Sequence, residues 1–501
     1  MNLASIIEQH PATAPAIISR GIVTDYRMLR EQVEAFRGSL GELGVHKGDR
    51  VALLCGNGSA FVVAYLAAVG MGAIAVPLNP LSPTPELQRE LEVVDPSVAV
   101  VEASAVFTFG GVSRRDLGSL RHIVVTDEKS AAQLKGDAEI HSFDALLAGP
   151  ASPCVQVDAD HPAVLIFTSG TAGASRAATL SHGNLLSNID QSNSTSDHIK
   201  QGDVVFGVLP MFHIFGLNVV LGVTLHAGAC VVLVQRFDPI TAVETIAERN
   251  ITIFPGAPAL WVAMSLLEGV AAEAFASIRL ALTGAARMPD EAADRLFAKF
   301  GVQLREGYGL TEASPVVTSS VGVEARRGSV GKAVDGVEVR VVDETGNDAL
   351  VGDSGEVWVK GSNVFVGYWN DPDATSRVLD GDGWLHTGDV GTVDSDGYLY
   401  LLDRAKDLII VSGFNVFPAE VEEVLMKHPA VLEAGVVGVP HPQTGEAVRA
   451  FVVLRPGAVA DEDTLIDHCH DYIARYKCPS KVLIVPELPH NQFGKLLRRA
   501  L

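Results

Sequence analysis

The chain has 501 residues, of which 48% are hydrophobic and 20% are charged, and its formal net charge is −22. This composition indicates a soluble globular protein that is long enough for two or more domains. The acidic balance argues against a nucleic-acid partner, because phosphate backbones are bound by basic surfaces. The five cysteines are scattered and odd in number. They suggest neither a cysteine zinc site nor a disulfide framework, and they fit a cytoplasmic location.

Short apolar runs alternate with helical patterns through the first 125 residues. Apolar residues that recur every three or four positions predict helices, and continuous runs of four to six predict buried strands. The predicted helices are Tyr26–Arg37 and Phe61–Gly72, and the predicted strands are Arg50–Cys55, Ala73–Pro77, Val98–Val101 and His122–Val125. Strands that alternate with helices favour parallel sheets covered on both faces.

A loop rich in glycine and hydroxyl groups, residues 167–176, follows the apolar run Ala163–Phe167. Glycines let the backbone approach a polyphosphate, whose oxygens accept hydrogen bonds from N–H groups and hydroxyls. Arg176 adds a cation that can pair with phosphate in a bidentate way. The spacing is not that of a Walker A loop. The composition alone is equally typical of a flexible linker, so two interpretations stay open.

One uncharged and mostly apolar segment, residues 214–234, is long enough to span a bilayer. Asn218, Gly222, His226 and Gly228 interrupt its pattern. We therefore predict a buried helix, a turn near residue 227 and the strand Cys230–Val234, with no membrane span.

The alternation of strands and helices resumes after the loop. The predicted strands are Val204–Leu209, Val231–Val234, Ile251–Phe254 and Arg279–Thr283, and the predicted helices are Ile240–Glu248 and Asp290–Phe300. Ligands in open parallel sheets bind at the carboxyl ends of strands. Thr168 and the segment Thr283–Ala286 follow predicted strands, so we expect both at a ligand site.

The sequence pattern changes from about residue 325, where valines alternate with charged residues and Asp-Gly turns recur. This pattern predicts antiparallel strands at Val337–Val342, Gly355–Lys360 and Tyr398–Leu402. Asp394–Gly397 resembles part of a calcium loop but lacks its distal glutamate, so we predict a hairpin turn. The last hundred residues are predicted as a compact mixed segment with helices Ala419–Lys427 and Thr464–Arg475 and strands Gly435–Val439 and Ala450–Leu454.

The order of these motifs resembles that of the adenylate-forming superfamily, which includes acyl-CoA synthetases, firefly-type luciferases and nonribosomal adenylation domains. The resemblance covers nearly the whole chain and rests on the motifs Thr168–Gly173, Thr283–Ala286, Glu306–Glu312, Gly383–Asp389, Leu402–Asp407 and His490–Lys495. It implies an α/β fold. A large N-terminal domain, residues 1–403, would hold stacked α/β sheets and a β-rich subdomain, and residues 404–501 would form a small mobile α+β domain.

The resemblance also implies a nucleotide site. In the phosphate loop, ATP would contact Thr168, Ser169, Gly170, Thr171, Ala172, Gly173 and Arg176. This loop departs from the family pattern at Ala172, Ser175, Arg176 and Ala177, where Thr, Pro, Lys and Gly are usual. Arginine keeps the positive charge of lysine, but its guanidinium is planar whereas the lysine ammonium is a compact point charge. How this loop would contact the phosphates therefore stays open.

The later motifs would complete this site. Adenine and the α-phosphate would contact Gly284, Ala285, Ala286, Glu306, Gly307, Tyr308, Gly309 and Thr311, and the ribose would contact Asp389 and Arg404. Glu312 would bind Mg²⁺ through a hard carboxylate oxygen. In isolation, the Glu306–Glu312 motif has a less favoured alternative, a glycine turn with a capping threonine. Lys495 would be the catalytic lysine, Lys406 the hinge, and Ser412, Gly413 and Phe414 part of a CoA tunnel.

The acyl pocket implied by the resemblance consists of His213, Phe215, Gly216, Phe254, Gly256 and Thr283. Amino-acid-activating relatives carry an aspartate at the position of His213, where it pairs with the substrate ammonium. A buried ammonium without such a partner is costly, so we expect an apolar acyl or aryl carboxylic acid, with a fatty acid favoured. We assign His213 a gating role near the carboxylate, against the alternative of a purely structural histidine.

The implied reaction is activation of the acid by ATP to acyl-AMP and pyrophosphate, followed by transfer of the acyl group to CoA. Three alternatives stay open: an acyl-AMP ligase that loads an acyl carrier protein, a luciferase-like oxygenase, and a non-catalytic binding protein suggested by the altered phosphate loop. The expected partners are small molecules, with no nucleic acid and no membrane span. A homodimer is among the oligomeric states left open.

Overall fold

The computed structural model describes residues 1–134, 138–168, 176–404, 407, 409–411, 414–441, 445–473, 475–490 and 496–501. These residues form two compact units. The first contains Met1–Ala325, Ala333–Glu338 and Lys360–Leu385, and the second contains Arg326–Lys332, Val339–Val359 and His386–Leu501. The domain boundary expected at residues 403 and 404 adjoins residues outside these ranges and stays a prediction.

Twenty-six strands are found among the described residues. Up to residue 300 they are β1 Pro15–Ser19, β2 Ile22–Asp25, β3 Arg50–Leu54, β4 Ile74–Pro77, β5 Val98–Val101, β6 His122–Val125, β7 Glu139–Ser142, β8 Pro162–Thr168, β9 Arg176–Ser181, β10 Val204–Gly207, β11 Cys230–Leu233, β12 Ile253–Gly256 and β13 Leu280–Thr283. Beyond it they are β14 Leu304–Gly309, β15 Val316–Ser319, β16 Lys332–Ala333, β17 Val337–Val342, β18 Gly355–Gly361, β19 Gly367–Tyr368, β20 Leu385–Val393, β21 Leu399–Arg404, β22 Ile409–Val411, β23 Phe414–Val416, β24 Val431–His441, β25 Gly445–Leu454 and β26 Lys481–Ile484.

The α-helices of the same residues are α1 Tyr26–Glu42, α2 Ser59–Gly70, α3 Thr84–Val94, α4 Val106–Gly110, α5 Glu128–Ala131, α6 Phe143–Leu146, α7 His182–Asn193, α8 Thr224–His226, α9 Pro239–Arg249, α10 Pro258–Ser265, α11 Asp290–Phe300, α12 Pro372–Ser376, α13 Pro418–Met426 and α14 Glu462–Tyr472. A π-helix, Phe215–Val223, runs directly into α8. Short 3₁₀ turns fill several connections, among them Thr311–Ala313.

Two large sheets form the first unit. Their strand orders are β19-β9-β8-β4-β3-β5-β6-β7 and β16-β15-β14-β13-β12-β10-β11-β1-β2. The central strands of both run parallel. β3, β4 and β5 are almost entirely buried, as expected for strands covered on both faces. The amide of Asn57, just after β3, donates to the carbonyls of Gly207 and Leu209 at 3.0 and 2.9 Å, which ties the strand ends of the two sheets together.

The second unit holds a four-stranded sheet, β17-β18-β20-β21, and a five-stranded sheet, β23-β22-β25-β24, with β26 paired to β25. β20 and β21 are antiparallel, and the N–H of Asp394 donates to the carbonyl of Tyr398 at 3.0 Å. The predicted hairpin turn at Asp394–Gly397 is therefore confirmed. The helices α13 and α14 pack on the five-stranded sheet around one cluster of buried side chains that includes Val421 and Leu465.

Most predicted elements are confirmed in type, and Val98–Val101, His122–Val125, Val337–Val342 and Asp290–Phe300 also in their bounds. The apolar segment of residues 214–234 forms the predicted buried helix, turn and strand, but nine residues of the helix are wound as a π-helix. No helix in the part of the chain that the structure describes is long and apolar enough to cross a membrane.

Candidate active site

The phosphate loop connects two antiparallel strands. β8 and β9 pair so that Thr168 lies directly opposite Arg176. The loop residues between them, which include Ser169, Gly170, Thr171, Ala172 and Gly173, lie outside the described residues. The chain therefore leaves and re-enters the sheet at neighbouring positions, and the two predicted phosphate contacts at the base of the loop are brought together.

Arg176 lies beside another segment of the first unit, Gly367–Asp371. Its Nε is 3.2 Å from Oδ2 of Asp371, and its guanidinium carbon is 5.8 Å from the ring centroid of Tyr368. β19 pairs antiparallel with β9, with Tyr368 opposite Ala178. This pairing holds the Tyr368 ring next to the cation at the end of the loop.

Tyr368 joins this cation to the predicted metal ligand. Its hydroxyl donates a hydrogen bond of 2.7 Å to Oε1 of Glu312. Burial and the neighbouring Glu312 carboxylate raise the pKa of Tyr368 above its usual range. The phenol is therefore protonated at neutral pH and acts as the hydrogen-bond donor. The carbonyl of Glu312 also accepts from the N–H of Phe365 at 2.8 Å. Arg176, Tyr368 and Glu312 thus belong to one polar cluster.

The donor set at this cluster fits Mg²⁺. A carboxylate has lone pairs on two oxygens, so the hydrogen bond from Tyr368 to one oxygen of Glu312 is compatible with metal ligation. Mg²⁺ prefers one or two carboxylates together with phosphate oxygens and water. Thr311 precedes Glu312 in the same 3₁₀ turn. Glu312 would therefore hold the metal, and the phosphates of ATP would supply further ligands.

The motif before Glu312 forms β14. Close packing requires glycine at position 309, because a Cβ there would meet the carbonyl carbon of Pro315 at 2.8 Å. A Cβ on Gly307 would lie 3.1 Å from the carbonyl oxygen of Thr318, which is a tight contact. Tyr308 is buried in this packing, with 8% of its surface exposed. Burial, with a further contribution from Asp290, raises the pKa of Glu306 to about 7. Contacts of these residues with adenine stay predictions.

The segment Thr283–Ala286 begins at the end of β13, where Thr283 lies opposite Glu306 of β14. Thr283 is 3% exposed, and its hydroxyl has no hydrogen-bond partner among the described residues. Ala285 has a φ of 70°, which is uncommon for a residue other than glycine. A Cβ on Gly284 would lie 3.6 Å from the ring of Phe215. The structure therefore brings the predicted adenine segment and an acyl-pocket residue together.

His213 lies at the start of the π-helix. Its Nδ1 accepts a hydrogen bond of 3.3 Å from the N–H of Phe215, which places the ring proton on Nε2. Burial lowers the pKa of His213 to about 4, so the imidazole is neutral at pH 7. A Cβ on Gly216 would collide with the carbonyl of Pro210, so only glycine allows this approach of the helix. π-Helical turns are frequent at functional sites.

The strand β12 supplies Phe254 and Gly256. Phe254 is fully buried, with ring centroids 4.6 Å from Phe206 and 4.5 Å from Trp261, so in this structure it is a core side chain. A Cβ on Gly256 would lie 2.8 Å from Nε1 of Trp261, which donates to the carbonyl of Leu282 at 3.0 Å. A direct role of Phe254 in an acyl pocket stays a prediction.

In the second unit, the two predicted ribose contacts are cross-strand neighbours. Asp389 of β20 lies opposite Arg404 of β21. The N–H of Asp389 donates to the hydroxyl of Thr387 at 3.1 Å, and the N–H of Gly388 donates to Glu356 at 3.0 Å, which fixes the turn of the motif. The strand pairing thus accounts for two residues that are fifteen positions apart in sequence.

The remaining predicted residues fall in the last hundred positions of the chain, and the structure describes only one of them, Phe414. Ile409–Val411 and Phe414–Val416 pair antiparallel, so the predicted CoA-tunnel residue Phe414 begins the returning strand. Ser412 and Gly413, between them, lie outside the described residues, as do the hinge residue Lys406 and the catalytic candidate Lys495. Their roles stay predictions.

Sequence reasoning missed Tyr368, Asp371 and Trp261. The run Gly-Tyr-Trp-Asn-Asp-Pro at residues 367–372 did carry a signal, because Asp before Pro is typical of a helix start. Asp371 indeed caps α12 by accepting from the N–H of Ala374 at 2.9 Å. Its contact with Arg176 spans 195 positions and follows only from the pairing of β9 with β19.

Comparison with known proteins covers both units. A model of the AMP-binding enzyme family matches residues 3–369, and one of the AMP-binding enzyme C-terminal domain matches residues 420–495. The chain is 36% identical to a long-chain-fatty-acid–CoA ligase of Yersinia pestis, over 98% of this chain and 91% of that protein. It is 34% identical to 4-coumarate–CoA ligase 5 of Oryza sativa subsp. japonica, over 92% of this chain and 86% of that protein.

Solved structures are similar over the full length. ATP-bound MatB from Rhodopseudomonas palustris superposes with a TM-score of 0.91 at 32% identity, covering 100% of this chain and 98% of that one. The anthranilate CoA ligase AuaEII in complex with anthranoyl-AMP gives a TM-score of 0.90 at 27% identity, covering 100% and 96%. These similarities extend through both the sheets that carry the polar cluster and the C-terminal segment.

Proposed function

The chain belongs to the AMP-binding enzyme family, and from this premise we propose that it activates an apolar carboxylic acid with ATP and transfers the acyl group to CoA. The observation that carries the proposal is the Arg176, Tyr368 and Glu312 cluster. It places a cation at the base of the phosphate loop and a carboxylate suited to Mg²⁺ around one phenol. Such a site suits chemistry at a polyphosphate and has no use in a flexible linker.

In the first step, a carboxylate oxygen of the acid attacks the α-phosphorus of ATP. A new O–P bond forms, and the bond between the α-phosphorus and the oxygen that bridges to the β-phosphorus breaks. Pyrophosphate leaves with the electron pair of that bond. The barrier is negative charge crowded at phosphorus, which fixed donors and cations lower most effectively. We assign this role to Arg176, Thr311 and Lys495. Mg²⁺, when bound at Glu312, supplies further positive charge to the phosphates.

In the second step, the CoA thiolate attacks the carbonyl carbon of acyl-AMP. The C–S bond forms, the C–O bond to the phosphate breaks, and AMP leaves. Ser412, Gly413 and Phe414 are proposed to line the route of the thiol, and Lys406 to act as the hinge between the two half-reactions. The β22–β23 hairpin supports this assignment, because it brings the ends of that segment to adjacent positions.

The substrate is proposed to be a fatty acid. His213 is half-buried and neutral, so this position offers no carboxylate to pair with an ammonium, which favours an uncharged acyl chain over an amino acid. The Yersinia pestis relative is named for long-chain fatty acids and the rice relative for 4-coumarate. An aryl acid is therefore the second class to test.

The proposal is tested with a panel of aliphatic, aryl and amino acids. AMP release is measured for each acid with and without CoA, and ATP–pyrophosphate exchange is measured without CoA. We expect exchange with fatty acids and CoA-dependent AMP release with the same acids. Exchange without a response to CoA, together with loading of an acyl carrier protein, would indicate the carrier-protein ligase instead. Absence of exchange with every acid would indicate a binding protein.

Two further parts of the proposal concern the cellular compartment and the oligomeric state. All five cysteines are free thiols, four of them buried, which supports work in a reducing compartment such as the cytoplasm. We also propose a homodimer as the oligomeric state to test, and light scattering of the purified protein would distinguish it from a monomer.

A further inference from the structure

Three side chains with metal-binding atoms converge at the far edge of the eight-stranded sheet. They are His122, at the start of β6, and Glu139 and His141 on β7. β6 and β7 run parallel with His122 opposite Glu139 and Val124 opposite His141. Successive side chains of a strand point to opposite faces, so residues 139 and 141 share one face, and the paired residue 122 shares it with them. The register therefore creates the cluster.

The same three atoms define a compact triangle. Nδ1 of His122 is 3.1 Å from Nε2 of His141, and Oε2 of Glu139 is 3.7 Å from the first and 3.8 Å from the second. A tetrahedral Zn²⁺ with bonds of about 2.1 Å holds neighbouring ligand atoms about 3.4 Å apart. The three sides of the triangle are close to that spacing, so the cluster needs only small side-chain adjustments to surround one ion.

The surroundings also suit an ion with an open position. The side chains of His122 and His141 are 16% and 24% exposed, whereas that of Glu139 is 73% exposed. Two imidazoles are thus held by the protein, and the carboxylate closes the site from the solvent side. Five strand spacings separate β7 from β8, which corresponds to roughly 24 Å. The cluster is therefore separate from the polar cluster around Glu312.

We propose that His122, Glu139 and His141 form a binding site for a divalent transition-metal ion of the Zn²⁺ class. Two imidazoles and one carboxylate are ligands that Zn²⁺, Co²⁺ and Ni²⁺ share, whereas Mg²⁺ and Ca²⁺ prefer oxygen ligands alone. The ion cross-links the edge strand β7 to β6, and solvent supplies the remaining ligand. Its role is to stabilise this edge of the sheet.

The competing explanation is a plain hydrogen bond between the two imidazoles, with no ion. At 3.1 Å one ring nitrogen would donate to the other, and the carboxylate would be a loose neighbour. The two explanations differ in the part played by Glu139. An ion requires this carboxylate as a ligand, whereas the imidazole pair does not.

The experiment uses the full-length protein, freed of metal by a chelator and titrated with Co²⁺. We expect one Co²⁺ per chain, the visible absorption of a tetrahedral site, displacement by one equivalent of Zn²⁺, and a higher unfolding temperature with Zn²⁺. His122→Ala and His141→Ala should abolish all four signals. Loss of an outer-shell partner alone costs roughly 10–100-fold in metal affinity, so Glu139→Gln should weaken binding at least as much.

A histidine pair elsewhere in the chain provides a matched control. His428 and His468 have ring centroids 5.1 Å apart, and Nε2 of His468 is engaged with the carbonyl of Val424 at 3.0 Å. His468→Ala should leave Co²⁺ binding unchanged. ATP–pyrophosphate exchange should persist in Glu139→Gln, whose side chain is largely exposed, which shows that this variant is folded. Unchanged Co²⁺ affinity in Glu139→Gln, an intense near-ultraviolet band from cysteine ligation, or no stoichiometric binding by the parent protein would each overturn the proposal.

Discussion

The hydroxyl of Tyr368 donates to Oε1 of Glu312 across 2.7 Å, although the two residues are 56 positions apart. The same phenol ring lies 5.8 Å below the guanidinium carbon of Arg176. One tyrosine therefore positions the carboxylate proposed for Mg²⁺ and contacts the cation proposed for the phosphates. If these assignments are right, loss of this hydrogen bond should change both the use of ATP and the dependence on Mg²⁺.

Tyr368→Phe removes the hydroxyl and keeps the ring. Hydrogen bonds to charged groups contribute about 1.5–3 kcal/mol, so we expect kcat/KM for ATP to fall roughly 10-fold to 100-fold. The Mg²⁺ concentration needed for half-maximal exchange should rise, because the carboxylate loses the group that orients it. ATP–pyrophosphate exchange at varied Mg²⁺ measures both quantities.

Tyr400 offers the matched control for this substitution. Its hydroxyl donates to Oδ2 of Asp394 at 3.2 Å at the hairpin turn of the second unit. Tyr400→Phe should leave the Mg²⁺ dependence unchanged, and Glu312→Gln should weaken exchange more than Tyr368→Phe does. Unaltered Mg²⁺ dependence in Glu312→Gln would remove the metal assignment.

Substitutions of Arg176 test the phosphate loop. Arg176→Ala should raise the KM for ATP and slow adenylation, with the 10²–10³-fold cost of one transition-state donor as a rough upper bound. Arg176→Lys should restore most of the activity, because relatives carry lysine at this position. Steady-state kinetics of exchange distinguish the two variants.

A surface arginine serves as the reference for that comparison. Arg295 is 3.7 Å from Glu291 on α11, and its side chain is 44% exposed. Arg295→Ala should leave the KM for ATP unchanged. If Arg176→Ala behaves like Arg295→Ala, the loop is only a connection between β8 and β9.

The protonation of His213 gives a prediction that needs no substrate. Burial lowers its folded-state pKa to about 4, below the ordinary histidine pKa of 6.5. The unfolded chain therefore binds more protons between these values, and the contribution to stability is complete above about pH 6.5 and lost as the pH falls through 4. Hydrogen–deuterium exchange at the imidazole C2 position, read by mass spectrometry, should give a midpoint near 4 for this residue.

Thermal unfolding checks the same prediction. Between pH 4 and 6.5, the stability of His213→Asn should vary less steeply with pH than that of the parent, by up to about 1.4 kcal/mol per pH unit. Burial also lowers the pKa of His182, to about 3, but this residue is present in both proteins and its effect cancels. His226→Asn, at a half-exposed position, is the control. An exchange midpoint near 6.5 would show that His213 is solvated.

Lys495 separates the two half-reactions. The family resemblance places it near the α-phosphate only while the small domain is closed for adenylation. Lys495→Ala should therefore reduce acyl-AMP formation by roughly 10²–10³-fold and spare thioester formation from supplied acyl-AMP and CoA. Lys406→Pro, which would stiffen the proposed hinge, should show the reverse. Equal loss of both half-reactions in Lys495→Ala would rule out alternation between two domain orientations.

Much of the fold followed from local pattern. Apolar runs such as Val98–Val101 are buried on both faces, and the helical spacing of Asp290–Phe300 leaves one apolar face, so their type and bounds were predictable. The π-helix at Phe215–Val223 was not, because its composition is that of any buried helix. The close fit of Gly216 against the carbonyl of Pro210 is likewise a tertiary contact that local composition does not reveal.

The residues of the site likewise include some that the sequence predicted and some that it did not. Motif order was enough to propose Glu312, Arg176 and Asp389, because each motif is contiguous. Tyr368 and Asp371 were missed because their contacts arise from the antiparallel pairing of β9 with β19, which joins segments that are almost 200 positions apart. The cluster of His122, Glu139 and His141 was missed for the same reason, since it depends on the register of two parallel strands.

The most direct test of the two-step reaction follows the oxygen atoms of the acid. A fatty acid labelled with ¹⁸O in both carboxylate oxygens is incubated with the enzyme, ATP, Mg²⁺ and CoA, and the products are analysed by mass spectrometry. Attack on the α-phosphorus leaves one labelled oxygen in the phosphate of AMP and one in the acyl-CoA carbonyl. We predict AMP with a single ¹⁸O. Unlabelled AMP, or label in inorganic phosphate with release of ADP, would contradict an acyl-AMP intermediate.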